Sequence, residues 1–301
     1  MARGTARFAP SPTGPLHLGS LLAAVGSYLD ARANGARWLV RIEDLDTARV
    51  VPGCADEILR TLEVFGFEWD GDVLYQSTRR EAYRDAIHRL RNQGRLFECS
   101  CSRKQLAGNA AEDAPGYPGT CRQGPARPGP TSLRFRVSDS TLRFDDLFQG
   151  TQVFQLQGCG DVVIERRDGI ASYQLAVVVD DEFQQVTRVV RGADLLASTP
   201  WQIDLQSALA FERPIYGHLP LVVEADGTKL SKSSHSVALD PSQVAKGLTS
   251  TLTLLSQRPP ADLGSFSTRE VWKWAFEHWN PQALAGKAVA PCPYPATSKQ
   301  K

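Results

Sequence analysis

The stretch Thr5-Ala6-Arg7-Phe8-Ala9-Pro10-Ser11-Pro12-Thr13-Gly14-Pro15-Leu16-His17-Leu18-Gly19-Ser20 decides how the rest of the chain is read. Thr5 to Ala9 is a short, partly apolar run that stops at a loop punctuated by Pro, Ser and Gly. Beyond the loop, Leu18, Leu21, Leu22, Val25 and Leu29 recur at helical spacing. The order is strand, loop, helix. Trp38-Leu39-Val40-Arg41-Ile42 reads as the next strand, so residues 5–42 form a βαβ unit whose parallel strands require a right-handed crossover helix. Nucleotides bind at the carboxyl ends of such strands.

Outward from this unit, the pattern predicts a helix from Ala55 to Phe65 and another that starts after Ser77 as N-cap and runs to about Gln93, before Gly94. Residues 107–130 then hold many Gly and Pro and little apolar periodicity, while Ser132–Val137, Thr151–Leu156, Asp161–Glu165 and Tyr173–Val179 read as strands. A helix from about Ala193 to Ala210 and a strand over Gly217–Val223 return the chain to an α/β pattern. The expected fold class is α/β, with a Rossmann-like parallel sheet. Its first half is expected over residues 1–95, an inserted subdomain over 96–190, the second half over 191–240 and a helical extension over 241–301.

The 301 residues carry 34 Lys+Arg against 33 Asp+Glu and are 42% apolar, which excludes disorder and fibrous repeats. A net charge of +1 gives no global attraction to polyanions, so any nucleic-acid surface must come from local placement of charge. No run approaches the ~18 apolar residues of a membrane span, and Met1-Ala2-Arg3-Gly4 leads into no signal-peptide apolar region. A cytoplasmic protein, and a monomer, is therefore expected. Its six cysteines would stay reduced, so the clustering of three of them points to metal before disulfide.

Phosphate chemistry needs donors aimed at oxygens, a close backbone approach and cations where negative charge develops. Gly14 and Gly19 permit close approach, His17 is a donor at a helix start, and the helix N-terminus is electropositive. Far along the chain, Lys229-Leu230-Ser231-Lys232-Ser233-Ser234 supplies two ammonium groups and three hydroxyls suited to gripping a triphosphate. Cys99-Ser100-Cys101 and Tyr117-Pro118-Gly119-Thr120-Cys121 offer three soft thiolates and a phenol in a segment too poor in apolar residues to hold itself together. A structural metal would supply what that core lacks. Cys54, Cys159 and Cys292 have no partners at ligand spacing, and His88, His218, His235 and His278 are expected in packing or surface roles. Trp272, Trp274, Phe276 and Trp279 are expected to pack a C-terminal helix.

Together and in this order, His17-Leu18-Gly19-Ser20 and Lys229-Leu230-Ser231-Lys232-Ser233 resemble the "HIGH" and "KMSKS" signatures of class I aminoacyl-tRNA synthetases. Arg7 to Gly14 and Arg41-Ile42-Glu43-Asp44-Leu45-Asp46 narrow the resemblance to the glutamyl/glutaminyl branch, over roughly residues 5–240. A full glutamyl-tRNA synthetase continues into a large helical anticodon-binding domain, which is not expected here. On that ground the chain resembles the glutamyl-Q tRNA(Asp) synthetase family, a free-standing paralogue of the catalytic core.

The resemblance implies tRNA-independent activation of L-glutamate with ATP, with Mg²⁺ on the phosphates, and transfer to the queuosine base at the wobble position of the tRNA(Asp) anticodon stem-loop. It also implies that Arg7, Ser11, Glu43, Tyr173 and Arg191 bind glutamate, with Glu43 on the ammonium, Arg7 and Arg191 on carboxylates, and Arg191 reading the γ-carboxylate. His17, Gly19, Lys229, Ser231 and Lys232 would bind ATP, His17 and Lys232 acting on the transferring phosphate. One zinc ion would be held by Cys99, Cys101 and Cys121, with Tyr117 as fourth ligand. Two alternatives stay open at this point: a minimal glutamyl-tRNA synthetase charging a tRNA 3′ end, and a non-catalytic tRNA-binding module.

Overall fold

A computed structural model describes residues 4–102, 105–106, 116–223 and 239–291. Strand β1 (Thr5–Phe8) is followed by α1 (Leu18–Ala33) and β2 (Arg37–Ile42), the βαβ unit expected from sequence. Helix α2 (Cys54–Val64) and the short β3 (Leu74–Tyr75) complete this half. Strands β9 (Arg188–Gly192) and β10 (Ile215–Leu219) join the same sheet on the other side of β1. The strand order is β10-β9-β1-β2-β3 and every neighbouring pair is parallel. All four residues of β1 are buried, as a central strand covered on both faces requires.

Between the two halves lie α3 (Arg80–Asn92), the antiparallel set β4 (Leu96–Cys99), β5 (Ser132–Phe135) and β8 (Val162–Glu165), and a hairpin of β6 (Thr141–Asp146) and β7 (Gly150–Gln155). Ser77 does not cap α3. Its backbone N–H and hydroxyl both bond Asp44, at 2.7 and 2.6 Å, and a 3-10 turn over Gln76–Arg79 precedes the helix.

The expected strand Tyr173–Val179 is instead helix α4 (Tyr173–Phe183). Every residue from Leu175 to Asp181 is buried, so the helix has no polar stripe to reveal a 3.6-residue period, and Val177-Val178-Val179 looks like a strand. The expected helix over Ala193–Ala210 opens as a 3-10 segment and becomes α5 (Thr199–Leu209) only at Thr199-Pro200. The expected strand Gly217–Val223 divides around Pro220 into β10 and β11 (Leu221–Val223).

Two main cores flank the parallel sheet. On one side α1 and α2 pack with α6 (Val244–Leu254) and α7 (Thr268–His278). On the other, α3, α4 and α5 pack with β5 and β8. Residues 241–291 are therefore part of the main core. Trp272 is buried, donates its indole N–H to Phe65 O at 2.8 Å and meets Tyr28 and Phe67 edge-on, which is the packing role expected from sequence. β12 (Val289–Pro291) pairs in parallel with β11. No helix among the described residues is long and apolar enough to cross a membrane.

Candidate active site

Three arginines are buried on the parallel strands, and how each is neutralised defines the site. Arg7 on β1 pairs with Asp181 of α4 at 3.1 Å, and Arg41 on β2 pairs with the same carboxylate at 2.8 Å. Arg41 also lies 3.8 Å from Glu43 and donates to Gln184 at 2.7 Å. Sharing two guanidinium groups keeps the Asp181 carboxyl below the usual carboxylate range despite its burial.

Glu43 sits just past the end of β2, its backbone N–H donating to Pro10 O at 3.0 Å. Burial pushes its carboxyl up to about 7, since the charges of Arg41 and Arg7 only partly offset desolvation and Asp181 adds to it.

The third arginine is different. Arg191 on β9 is 5% exposed, and among the described residues no carboxylate lies within ion-pair distance of it. Its hydrogen bonds go to uncharged groups: Tyr173 OH at 3.2 Å, Thr199 Oγ1 at 2.9 Å and His218 Nε2 at 3.2 Å. A buried cation with no counter-ion is costly, so the geometry is that of a receptor for an anion. Burial and nearby acids hold the Tyr173 phenol above its usual range, so it stays protonated.

The loop after β1 shapes the other wall. His17 is the N-cap of α1 and its Nδ1 accepts the Gly19 backbone N–H at 3.1 Å, which leaves the imidazole proton on Nε2. A Cβ at Gly19 would lie 3.1 Å from the His17 ring, so a side chain there would push the ring aside. Gly14 has φ +145°, backbone that L side chains rarely adopt. The electropositive first turn of α1 thus opens beside the carboxyl ends of β1 and β9.

A cleft of about 620 Å³ brings together Arg7, Ser11, His17, Gly19, Glu43, Tyr173 and Arg191. Through Ser11, Glu43, Arg49 and Tyr173 it continues into a second groove of about 920 Å³ that reaches Cys101 and Ser102. Lys229, Ser231 and Lys232 lie outside the described residues, as do His235 and Cys292.

At the far end of the groove, the Sγ atoms of Cys99, Cys101 and Cys121 lie within 4.8 Å of one another. The Tyr117 hydroxyl is 3.5 Å from Cys99 Sγ and 3.9 Å from Cys101 Sγ, and it accepts the Cys121 backbone N–H at 2.7 Å. A tetrahedral metal with bonds of about 2.3 Å to sulfur spaces its ligands by roughly 3.8 Å, so this donor set fits such an ion. Backbone and side-chain donors around Cys121 outweigh its burial and pull its thiol down to about 6, which favours the thiolate a metal needs. Gly160 packs against the backbone of Gly116 and Tyr117. It has φ +74°, and a Cβ there would lie 2.1 Å from Tyr117 N. Arg134 stacks on the Tyr117 ring at 3.9 Å.

Sequence reasoning missed Asp181, Asp146, Thr199 and the part played by His218. The expectation that His218 serves packing alone is corrected: its ring is fully buried and bonds both Arg191 and Asp146. Asp181 had a signal, since the acidic run Asp180-Asp181-Glu182 directly follows the apolar stretch Leu175–Val179. Of the other expected histidines, His88 is exposed on α3 and His278 is exposed with its ring against Trp274.

This fold and site define a class I synthetase catalytic domain, and the family of tRNA synthetases class I (E and Q), catalytic domain, matches residues 5–256. The chain is 52% identical over 289 residues to the glutamyl-Q tRNA(Asp) synthetase of Dechloromonas aromatica, covering 94% of this chain and 96% of that protein. It is 51% identical over 295 residues to the protein of that name from Geobacter sulfurreducens, covering 94% of each. The crystal structure of glutamate-tRNA synthetase from Elizabethkingia anophelis is similar, with a TM-score of 0.77 at 25% identity over 96% of this chain and 68% of that one. The chain belongs to the glutamyl-Q tRNA(Asp) synthetase branch of this class I family and is a ligase of the aminoacyl-tRNA synthetase type.

Replacing Asp181 by Asn leaves two buried guanidinium groups without their shared carboxylate. The expected loss is about 3–5 kcal/mol of folding stability in urea denaturation; a change under about 1 kcal/mol would contradict this account of the site.

Proposed function

We propose that this enzyme, acting as a cytoplasmic monomer, activates L-glutamate with ATP in the absence of tRNA and transfers it to the queuosine base at the wobble position of tRNA(Asp). The observation that carries the reading is the Arg191 cation, which has no carboxylate within ion-pair distance among the described residues, facing the same cleft as Glu43. Glutamate brings two carboxylates and one ammonium; the cleft offers that cation and, in Glu43, a carboxylate whose cation, Arg41, is 3.8 Å away and lies closer to Asp181. In this reading Glu43 takes the ammonium, Arg191 and Tyr173 take the γ-carboxylate, and Arg7 and Ser11 lie along the α-carboxylate.

An oxygen of the α-carboxylate attacks the α-phosphorus of ATP in line, the bond to the bridging oxygen of pyrophosphate breaks, and glutamyl-adenylate forms. His17 donates from Nε2 to the phosphates, the Gly19 backbone allows their approach, and Lys229, Ser231 and Lys232 grip the departing pyrophosphate. Mg²⁺ on the phosphates would neutralise charge as it develops. A hydroxyl of the queuosine cyclopentenediol then attacks the activated carbonyl, losing its proton to solvent as AMP leaves. Cys99, Cys101, Cys121 and Tyr117 would hold one structural zinc, which ties the ends of a Gly- and Pro-rich segment together beside the groove.

The direct test supplies labelled glutamate and ATP to tRNA(Asp) with and without queuosine, and to tRNA(Glu), each with its 3′ end intact or oxidised. The expected label appears only on queuosine-containing tRNA(Asp) and survives 3′ oxidation. Label confined to intact tRNA(Glu) would make this a 3′-charging enzyme, and no label on any tRNA would contradict an aminoacyl transferase.

The shift at Glu43 gives a second expectation. Its carboxyl, pushed up to about 7, must be ionised to hold an ammonium, so glutamate binding weakens as pH falls through that value. The KM for glutamate in pyrophosphate exchange should rise about tenfold from pH 8 to pH 6. Glu43→Gln should raise KM throughout and remove that rise. A flat wild-type profile would contradict the assignment.

A further inference from the structure

Arg191 and His218 are register partners on the adjacent parallel strands β9 and β10, so their side chains emerge side by side. Behind them Asp146, at the end of β6, accepts the His218 backbone N–H at 3.0 Å through Oδ1 and faces His218 Nδ1 at 2.5 Å through Oδ2. Its Oδ1 also accepts the backbone N–H groups of Phe148 and Gln149, at 3.1 and 3.0 Å. An ionised carboxylate only accepts, so the proton between Asp146 and the ring belongs to Nδ1. Nε2 is then a bare acceptor, which is what the Arg191 Nε–H requires at 3.2 Å; the Thr199 hydroxyl, 3.1 Å from the same nitrogen, has the Leu195 carbonyl at 3.2 Å for its own proton. A doubly protonated ring would set one cation's donor against another's.

Resting on the reading of Arg191 as the γ-carboxylate receptor, we propose that His218, held by Asp146 as the neutral tautomer protonated on Nδ1, is a positioning residue that aims the Arg191 guanidinium at the substrate. A guanidinium has five N–H donors. His218 takes the one on Nε, Tyr173 takes one on Nη1 and Thr199 takes one on Nη2. One donor remains on each terminal nitrogen, a fork that matches the two oxygens of a carboxylate.

The neutrality of the three acceptors is the second half of the device. Arg7 and Arg41 are fixed by an anion, the single Asp181 carboxylate they share, which offsets part of their charge. Arg191 is held by three uncharged groups and keeps its charge for the ligand. The nearest anion in the relay, Asp146, acts only through the imidazole. Burial and the charge of Arg191 both press the His218 ring toward its neutral form, against the opposing pull of Asp146.

The first test uses the unmodified protein labelled with ¹⁵N-histidine. At pH 7.5 the His218 signals, identified by their loss in His218→Gln, should report a proton on Nδ1 and none on Nε2. The Nε2 resonance should shift on adding glutamate and stay in place on adding ATP. A proton on Nε2, alone or together with one on Nδ1, overturns the proposal.

The second test is pyrophosphate exchange. His218→Leu should raise the KM for glutamate roughly 10- to 100-fold and leave the KM for ATP unchanged. His218→Gln returns an acceptor oxygen to the same neighbourhood and should recover most of the loss. An unchanged glutamate KM in His218→Leu, or a Gln variant no better than Leu, overturns the proposal. Arg191→Leu, measured in parallel, should abolish glutamate activation. If it does so while His218→Leu does not, only the positioning role fails; if Arg191→Leu is itself active, the reading of Arg191 fails and the proposal with it.

Discussion

A buried cation must find an anion, and three of them on neighbouring parallel strands set the terms for the rest of this structure. Arg7 and Arg41 find theirs in Asp181, which obliges α4 to lie across the ends of β1 and β2. The same helix places Asp180 to accept from Gln76, Arg79 and Tyr83, fastening α3 and the segment before it to the sheet. Tyr173, at the first turn of α4, then falls beside Arg191. Of the three arginines, Arg191 alone has no carboxylate within ion-pair distance among the described residues, and it stands at the carboxyl end of β9 where the cleft opens.

The remaining parts of the chain hold this arrangement rigid. Helices α6 and α7 pack on α1, so the turn that carries His17 and Gly19 rests on a helix buttressed from behind. The β6–β7 hairpin reaches β10 through the Leu147 N–H to Tyr216 O bond of 2.9 Å, which brings Asp146 to His218. The cysteine cluster borders the groove that leads out of the cleft. Arg167 ties the carbonyls of Ser100 and Cys101 to the loop between β8 and α4 at 2.7 and 2.9 Å, along the wall of the groove.

Much of this was legible along the chain wherever the determinants are local. The Pro- and Gly-punctuated loop before His17, the βαβ unit and the spacing of Cys99, Cys101 and Cys121 are short-range patterns, and each reads directly. Arg7, Glu43, Tyr173 and Arg191 were singled out by family resemblance, and the fold gathers them in one cleft. The helix α4 was misread because its central residues, Leu175 to Asp181, are all buried and show no amphipathic period. Asp146 and His218 were missed because their partnership spans 72 residues of sequence and exists only once β10 lies against the hairpin. A lone histidine at a strand carries no local mark of such a relay.

The central claim is that glutamate completes the charge pattern set by Glu43 and Arg191 in the cleft. The measurement that addresses it most directly is a crystal structure of the protein with glutamate bound. The γ-carboxylate should lie within hydrogen-bond distance of both terminal nitrogens of Arg191, with the ammonium on Glu43 and the Arg191 bonds to His218, Thr199 and Tyr173 intact. A glutamate whose γ-carboxylate sits elsewhere, leaving Arg191 without an anion, would contradict the account.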